Sequence, residues 1–112
     1  VVIMNESEFL ARSEAILDHL ESQADDWASL YDLDIDANRN GNVLTIIFNN
    51  DVQVVVNSQA PMKEMWVAAR TGGFHYRFDG QKWVDTRGGP NMAETLSQIC
   101  SEISGKPIKV TV

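Results

Sequence analysis

Short apolar segments follow one another through the middle of the chain, and only brief turns separate them. The first alternates apolar and acidic residues from Tyr31 to Asp36, and a period of two is typical of a half-buried strand. Turn residues follow at 38–41, and Asp79-Gly80 is the strongest hairpin signal in the chain. Strands joined by such short turns pair antiparallel, because parallel neighbours need a long crossover. The five or six predicted strands, mostly antiparallel, cover residues 31–36, 43–48, 52–56, 66–70, 74–78 and 81–85.

Helical patterns flank the strands at both ends of the sequence. Apolar residues recur at helical spacing over residues 5–27, and again over residues 92–103, where Gly105 ends the pattern. Each amphipathic helix must bury one face, and the simplest arrangement lays both helices on one face of the sheet. The expected fold is therefore α+β, a two-layer α/β sandwich, in a single domain spanning residues 4–112.

The composition narrows the class of protein. No apolar run approaches the ~20 residues of a membrane-spanning helix, and the first residues lack the basic and apolar regions of a secretory signal. From how the first residues read, Met4 is expected to be the native start, with Val1–Ile3 a remnant that precedes it. The single cysteine, Cys100, permits no internal disulfide and lies among apolar positions, which is typical of a small buried residue. These features predict a cytoplasmic protein.

Negative charge is concentrated in the first third of the chain. Residues 1–36 hold ten acids against Arg12 alone, a net charge of −9, whereas the remaining residues carry +2. Such a surface repels the phosphates of nucleic acids and attracts cations and basic protein surfaces. We therefore expect no nucleic-acid partner. Because no apolar run is long enough to span a bilayer, we also expect no membrane partner.

Some of these acids follow a regular spacing. Four recur at intervals of four, three and four residues, which places them on one stripe of the first helix, and three more alternate along the first predicted strand. Carboxylates without histidine or cysteine suit iron, calcium, magnesium or manganese, and ligands on an open surface predict weak, salt-sensitive binding. The alternative is a solvated face that keeps the protein soluble and an edge strand unpaired. The seven acids are Glu14, Asp18, Glu21, Asp25, Asp32, Asp34 and Asp36.

A calcium-loop pattern, D-x-N-x-N-G, occurs at residues 36–41. Its twelfth position is Ile47 instead of a bidentate glutamate, and a predicted strand follows where a helix is required. The pattern therefore does not predict an EF-hand.

The middle of the chain carries a more specific set of motifs. Residues 57–61 read N-S-Q-A-P, residues 66–68 read W-V-A and residues 72–75 read G-G-F-H. Together they resemble the N-x-Q-x-P, W-x-A and G-G-[FY]-H pattern of the frataxin family, over essentially residues 4–105. Residues 4–9, 25–27 and 43–46 also resemble the bacterial, CyaY-like members of the family.

The resemblance implies the frataxin sandwich and an iron-binding accessory protein of iron–sulfur cluster assembly, not an enzyme. It implies weakly bound Fe²⁺ or Fe³⁺ and no organic cofactor. The same acidic surface would dock on the cysteine desulfurase and modulate assembly on the cluster scaffold protein. The implied protein is a monomer, with iron-driven oligomerisation left open. We call this surface the acidic ridge, and its implied metal ligands are Glu14, Asp18, Glu21, Asp25, Asp26, Asp32, Asp34 and Asp36.

The family also presents a second partner surface, on the sheet face that carries Trp66. Residues 28–30 depart from the relatives, which often continue with acids there, and this implies fewer iron sites. A pure acidic interaction module that regulates the desulfurase, a weak ferroxidase and a calcium sensor remain as alternatives. The implied partner-binding residues are Glu21, Asp25, Asp26, Asn57, Gln59, Trp66, His75 and Arg77.

Overall fold

The computed structural model describes residues 4–112. Val1–Ile3 lie outside the described residues, so the expectation that they are a remnant stays a prediction. The described chain forms two α-helices, six β-strands and a short 3₁₀ helix at Ala60–Met62. The elements are α1 (Glu6–Tyr31), β1 (Ile35–Asn40), β2 (Val43–Phe48), β3 (Val52–Gln59), β4 (Glu64–Ala69), β5 (Gly72–Phe78), β6 (Trp83–Asp85) and α2 (Met92–Ser104).

The strands form one sheet in which each strand pairs antiparallel with its neighbour in the sequence, from β1 to β6. Both helices bury their apolar residues in one core with one face of this sheet. A row of core side chains crosses three strands where Leu44 pairs with Val56 and Val56 pairs with Val67. The structure therefore confirms the predicted two-layer α+β sandwich. The opposite face of the sheet carries no helix within residues 4–112.

The helix ends follow from their capping residues. The Asn5 side chain accepts a hydrogen bond from the backbone N–H of Glu8, and Asn91 does the same for Glu94 at the start of α2. Gly105 ends α2 in a left-handed conformation, with φ +70°, that glycine adopts at low cost.

No helix within residues 4–112 is both long and apolar enough to cross a membrane.

The boundary between the first helix and the first strand differs from the sequence prediction. Helix α1 continues to Tyr31, and Asp32 is its left-handed C-cap, whose backbone N–H bonds to the carbonyl of Ala28. The predicted strand at 31–36 is therefore wrong over its first four residues, because β1 begins only at Ile35. The residues from Tyr31 to Asp34 form the end of the helix and a short link. An alternating pattern over so few residues cannot distinguish this arrangement from the start of a strand.

The predicted turn at 38–41 is also misplaced. Strand β1 continues through Asn40, which pairs with Val43, so the turn is reduced to Gly41 and Asn42. Gly41 has φ +61°, a value that two-residue hairpins require. As a result, Arg39 belongs to a strand that lies beside α1.

The C-terminal tail, residues 106–112, packs back onto the helices. Ile108 and Val110 are buried in the core. Gln23 on α1 donates to the carbonyl of Thr111 at 2.8 Å and accepts from its N–H at 2.9 Å. The N–H of Val110 donates to Ser97 Oγ at 2.8 Å. The tail is therefore held to both helices by side chain to backbone hydrogen bonds.

Candidate functional site

Helix α1 directs its carboxylates to solvent because its other face is buried. Phe9, Leu17 and Leu20 are almost fully inaccessible in the core. Glu14 and Asp18 lie on the outward stripe and are exposed. Farther along the same helix, Asp25 and Asp26 are exposed and Glu21 is half-buried. The helix therefore presents the five acids of the ridge that the sequence assigned to it.

The side chain of Arg39 neutralises one end of this row. Its Nη2 lies 2.7 Å from Glu14 Oε1, and its Nη1 bonds to Asp18 Oδ1. The Arg39 side chain is only 13% exposed, whereas both carboxylates are 66% exposed. Arg39 reaches α1 because it shares the helix-facing side of β1 with Ile35 and Ala37, which alternate with outward residues. Sequence analysis missed this residue, because it placed Arg39 in a turn.

The other end of the ridge has no such cation. Asp25, Asp26, Asp32 and Asp34 are exposed, and none of them forms an ion pair within residues 4–112. Helix α1 has no basic residue in its last turn, so its partial negative end adds to these carboxylates. The C-terminal end of α1 is therefore the region of the ridge with the least compensated negative charge.

Asp36 does not join this row. On β1 it alternates with Ile35 and Ala37, so its side chain lies on the sheet face away from the helices. The expectation of three acids along one face of the strand is wrong, because Asp32 is the helix cap and Asp34 lies in the link. Within residues 4–112, no three acidic, histidine or cysteine side chains converge on a point that could hold a metal ion. The ridge is an open surface.

The sheet face opposite the helices carries a second cluster. Its rings are those of Trp66 and His75, which are cross-strand neighbours on β4 and β5 and stack with centroids 4.1 Å apart and planes 8° apart. Trp66 is half-buried. Asn57 pairs with Trp66 from β3, and Gln59 pairs with Glu64 in the next row. The structure thus brings together on one face all five sheet residues that were predicted to bind a partner, Asn57, Gln59, Trp66, His75 and Arg77.

Glu64 holds this cluster together and was not predicted. It is 2% exposed, and its carboxylate accepts hydrogen bonds from Trp66 Nε1 at 2.9 Å and Arg77 Nε at 2.7 Å. His75 Nδ1 lies 3.8 Å from the same carboxylate. Burial alone would raise the pKa of Glu64, but the hydrogen bonds from Trp66 and Arg77 and the charge of Arg77 lower it below its usual value. Glu64 therefore stays ionised at neutral pH and fixes the orientation of both partners.

Cys100 is excluded as a ligand of either cluster. It is buried in α2, as the sequence predicted, and burial raises the pKa of its thiol to about 12. A thiol that stays protonated is a poor metal ligand.

Comparison with known proteins agrees with this architecture. Residues 2–106 match the family model of the frataxin-like domain. A Bordetella parapertussis protein named iron-sulfur cluster assembly protein CyaY is 63% identical over 107 residues, 96% of this chain and 98% of that protein. Its namesake from Janthinobacterium sp. strain Marseille is 47% identical over 106 residues, covering 94% of this chain and 95% of the relative.

Solved structures show the same fold. Frataxin from Psychromonas ingrahamii superposes with a TM-score of 0.76 at 29% identity, covering 97% of this chain and all of that one. The ferrous complex of trimeric frataxin from Saccharomyces cerevisiae gives a TM-score of 0.71 at 22% identity, over 93% and 90% of the two chains. The sheet, the helices and these matches together show that the chain belongs to the frataxin-like family, among its bacterial CyaY members.

Proposed function

We propose that this chain is an iron-binding accessory protein of iron–sulfur cluster assembly, acting in the cytoplasm. It binds Fe²⁺ or Fe³⁺ weakly on the acidic ridge and docks through the same ridge on the cysteine desulfurase. Its relatives of 47–63% identity are named for iron–sulfur cluster assembly, and a yeast member of the fold forms a ferrous complex. The observation that carries the proposal is the uncompensated negative charge at the C-terminal end of α1.

The iron sites lie at this end of the ridge. Arg39 occupies the carboxylates of Glu14 and Asp18, so a cation must compete with a guanidinium there. Asp25, Asp26 and Asp32 face no such competitor within residues 4–112, and the carbonyl end of the helix dipole favours positive charge beside them. Hard oxygen ligands on an exposed surface retain water in the metal's coordination shell, so binding is weak and rapidly reversible. Such binding suits transfer of the metal better than storage.

The same surface suits a basic protein partner. Leu30 lies one helical turn beyond Asp26 on α1 and is 73% exposed, so an apolar contact is available beside the acids. Opposite charges at the rim accelerate association, whereas a buried apolar contact in the centre contributes more of the binding energy. The desulfurase surface that docks here is expected to be basic and to provide an apolar recess for Leu30.

The cluster around Trp66 forms a second docking surface, for the cluster scaffold protein. Tryptophan and arginine are the side chains that most often dominate binding energy at interfaces. Trp66 and Arg77 are already held in place by Glu64, so binding does not have to order them.

A second candidate function is a pure interaction module that regulates the desulfurase without delivering iron. The absence of a converging ligand set within residues 4–112 favours it. In that case desulfurase binding depends on the ridge and is insensitive to iron.

The decisive experiment compares two variants of equal charge change. Asp25→Asn/Asp26→Asn removes charge from the ridge, and Asp51→Asn/Glu102→Gln removes it from acids outside the ridge. We expect the first to weaken both Fe²⁺ binding and desulfurase binding while the fold is retained, and the second to change neither. Loss of desulfurase binding with unchanged Fe²⁺ affinity would support the pure interaction module. Retention of both in a folded ridge variant would contradict the shared surface.

A further inference from the structure

A groove opens on the side of α1 away from the acidic ridge. It lies between α1, the β5–β6 hairpin, the start of α2 and the C-terminal tail, and has a volume of about 820 Å³. Volumes of roughly 300–1,000 Å³ are typical of small-molecule sites. Arg12 and Ile16 line it, and at about 100° per residue they lie across the helix axis from Glu14 and Asp18. The groove and the ridge are therefore separate surfaces of one helix.

The floor of the groove is apolar. Ile16 and Val110 are buried beneath it, and the rings of Phe78 and Trp83 form its wall on the hairpin side. These rings lie 5.4 Å apart between centroids and are tilted by 42°. An aliphatic chain or a flat ring bound here would be transferred from water to an apolar surface, which is favourable.

The rim of the groove is cationic, although the whole chain carries a net charge of −7. Arg12, Lys82 and Lys109 line the groove, and no aspartate or glutamate of the described chain does. None of these three cations forms an ion pair within residues 4–112. Arg12 lies over the Phe78 ring, 4.3 Å from its centroid, which holds the guanidinium at the mouth of the groove. Asp79, in the turn next to the groove, is not one of its lining residues, and its carboxylate accepts hydrogen bonds from the backbone N–H groups of Gln81 and Lys82.

The tail wall of the groove is held to α1 by hydrogen bonds. The tail wall is held by the two hydrogen bonds between Gln23 and the backbone of Thr111. His19 Nε2 lies 2.7 Å from Thr111 Oγ1, which holds the same wall to α1 a second time. A preformed site with an apolar floor and a few convergent charges has the general form of a ligand pocket.

We propose that this groove binds a small amphipathic anion, an aliphatic or aromatic group that carries a carboxylate or a phosphate. The apolar part covers Phe78 and Ile16, and the anionic head lies among Arg12, Lys82 and Lys109. This site is independent of the proposed iron function, because it shares no residue with the ridge.

The test is an amide NMR titration of the whole chain with octanoate and, in a second arm, octyl phosphate. Acetate and 1-octanol serve as head-only and tail-only controls. We expect saturable shifts confined to the amides around Phe78, Gln81 and Thr111, with either anion and with neither control at equal concentration. The arm that saturates at lower concentration identifies the preferred head group.

Two kinds of variant separate charge from shape. Lys82→Gln/Lys109→Gln is expected to weaken octanoate binding about tenfold at low salt, as two partly exposed ion pairs would, whereas the matched pair Lys63→Gln/Lys106→Gln, outside the groove, leaves it unchanged. Ala15→Phe fills the groove from an exposed helix position and is expected to abolish binding without a charge change. Shifts spread over the whole surface, equal binding of 1-octanol, or unaltered binding by the Lys82/Lys109 variant would overturn the proposal.

Discussion

Arg39 Nη2 on β1 lies 2.7 Å from Glu14 Oε1 on α1, and the same guanidinium bonds to Asp18. This contact divides a row of carboxylates into a paired half and an unpaired half. It ties the edge strand to the helix, and it leaves the carboxylates at the C-terminal end of α1 without an ion-pair partner within residues 4–112.

Arg39→Gln tests the structural part of this contact. We expect it to lower the free energy of unfolding by about 0.5–1.5 kcal/mol, because two ion pairs to a largely buried guanidinium are lost. The measurement is urea denaturation at low salt. Arg70→Gln is the matched control, since its contact with Asp51 is 3.5 Å long and both side chains are exposed. An Arg39 variant no less stable than the control would contradict the role assigned to Arg39.

Glu64→Ala is expected to cost about 1–3 kcal/mol, because it leaves Trp66 and Arg77 without their buried acceptor. Glu64→Gln retains an acceptor and is expected to cost less. Urea denaturation at neutral pH measures both. Equal stability of Glu64→Ala and the unaltered chain would contradict the role assigned to this carboxylate.

The contribution of Glu64 is also expected to depend on pH. Its pKa is lowered in the folded protein, so the unfolded chain binds the proton more readily. The charge therefore contributes its full stability above the unfolded pKa, whose usual value is 4.5, and loses it as the pH falls toward the folded pKa. The difference in unfolding free energy between the unaltered chain and Glu64→Gln should shrink below about pH 4.5. A constant difference from neutral to acidic pH would argue against an ionised Glu64.

Trp66→Ala tests the proposed second docking surface. We expect binding of the cluster scaffold protein to weaken at least about tenfold, as for a tryptophan at the centre of an interface, while the fold is retained because Trp66 lies outside the core. Calorimetric titration provides the affinity and circular dichroism the fold. Val55→Ala, a truncation on the same sheet face near Trp66, is the control and is expected to bind normally. Equal affinities of the two variants for the scaffold protein would contradict the proposal that it binds at this surface.

Leu30→Ala separates the apolar contact from the charge on the ridge. Leu30 is 73% exposed, so stability is expected to change by less than about 0.5 kcal/mol. Desulfurase binding is expected to weaken several-fold, and Fe²⁺ binding to remain as it is, since a leucine contributes no ligand. Leu10→Ala, at another exposed leucine of α1, is the control. A parallel loss of iron binding would show that the variant disturbs the helix and not the docking contact.

The fold could be predicted because its signals are local. The helical spacing of the two stripes, the alternation in the strands and the short turns each specify one element, and antiparallel pairing of neighbours follows from the turn lengths. The boundary between helix and strand near Asp32 could not be predicted, because a few alternating residues fit both the start of a strand and a helix end followed by a link.

The contacts that shape the site depend on strand register and on how the helix lies beside the sheet, and neither can be derived from the sequence pattern. Arg39 and Asp18 are 21 residues apart, and they meet only because β1 runs beside α1 with Arg39 on the inner side. Glu64 reaches Arg77 because these residues are opposite each other across β4 and β5. The placement of five residues on one sheet face was still expected, because the family resemblance supplied what periodicity could not, and their role in partner binding stays a prediction.

The proposal that the ridge binds iron is tested most directly by an anaerobic Fe²⁺ titration of the whole chain, followed by amide NMR, with Ca²⁺ as the control cation. We predict paramagnetic broadening that begins at residues 25–34, reaches residues 14–18 only at higher iron, and is reduced in Asp25→Asn/Asp26→Asn. Undisturbed spectra, or broadening scattered over the surface, would contradict an iron-binding ridge and leave the pure interaction module as the function of this chain.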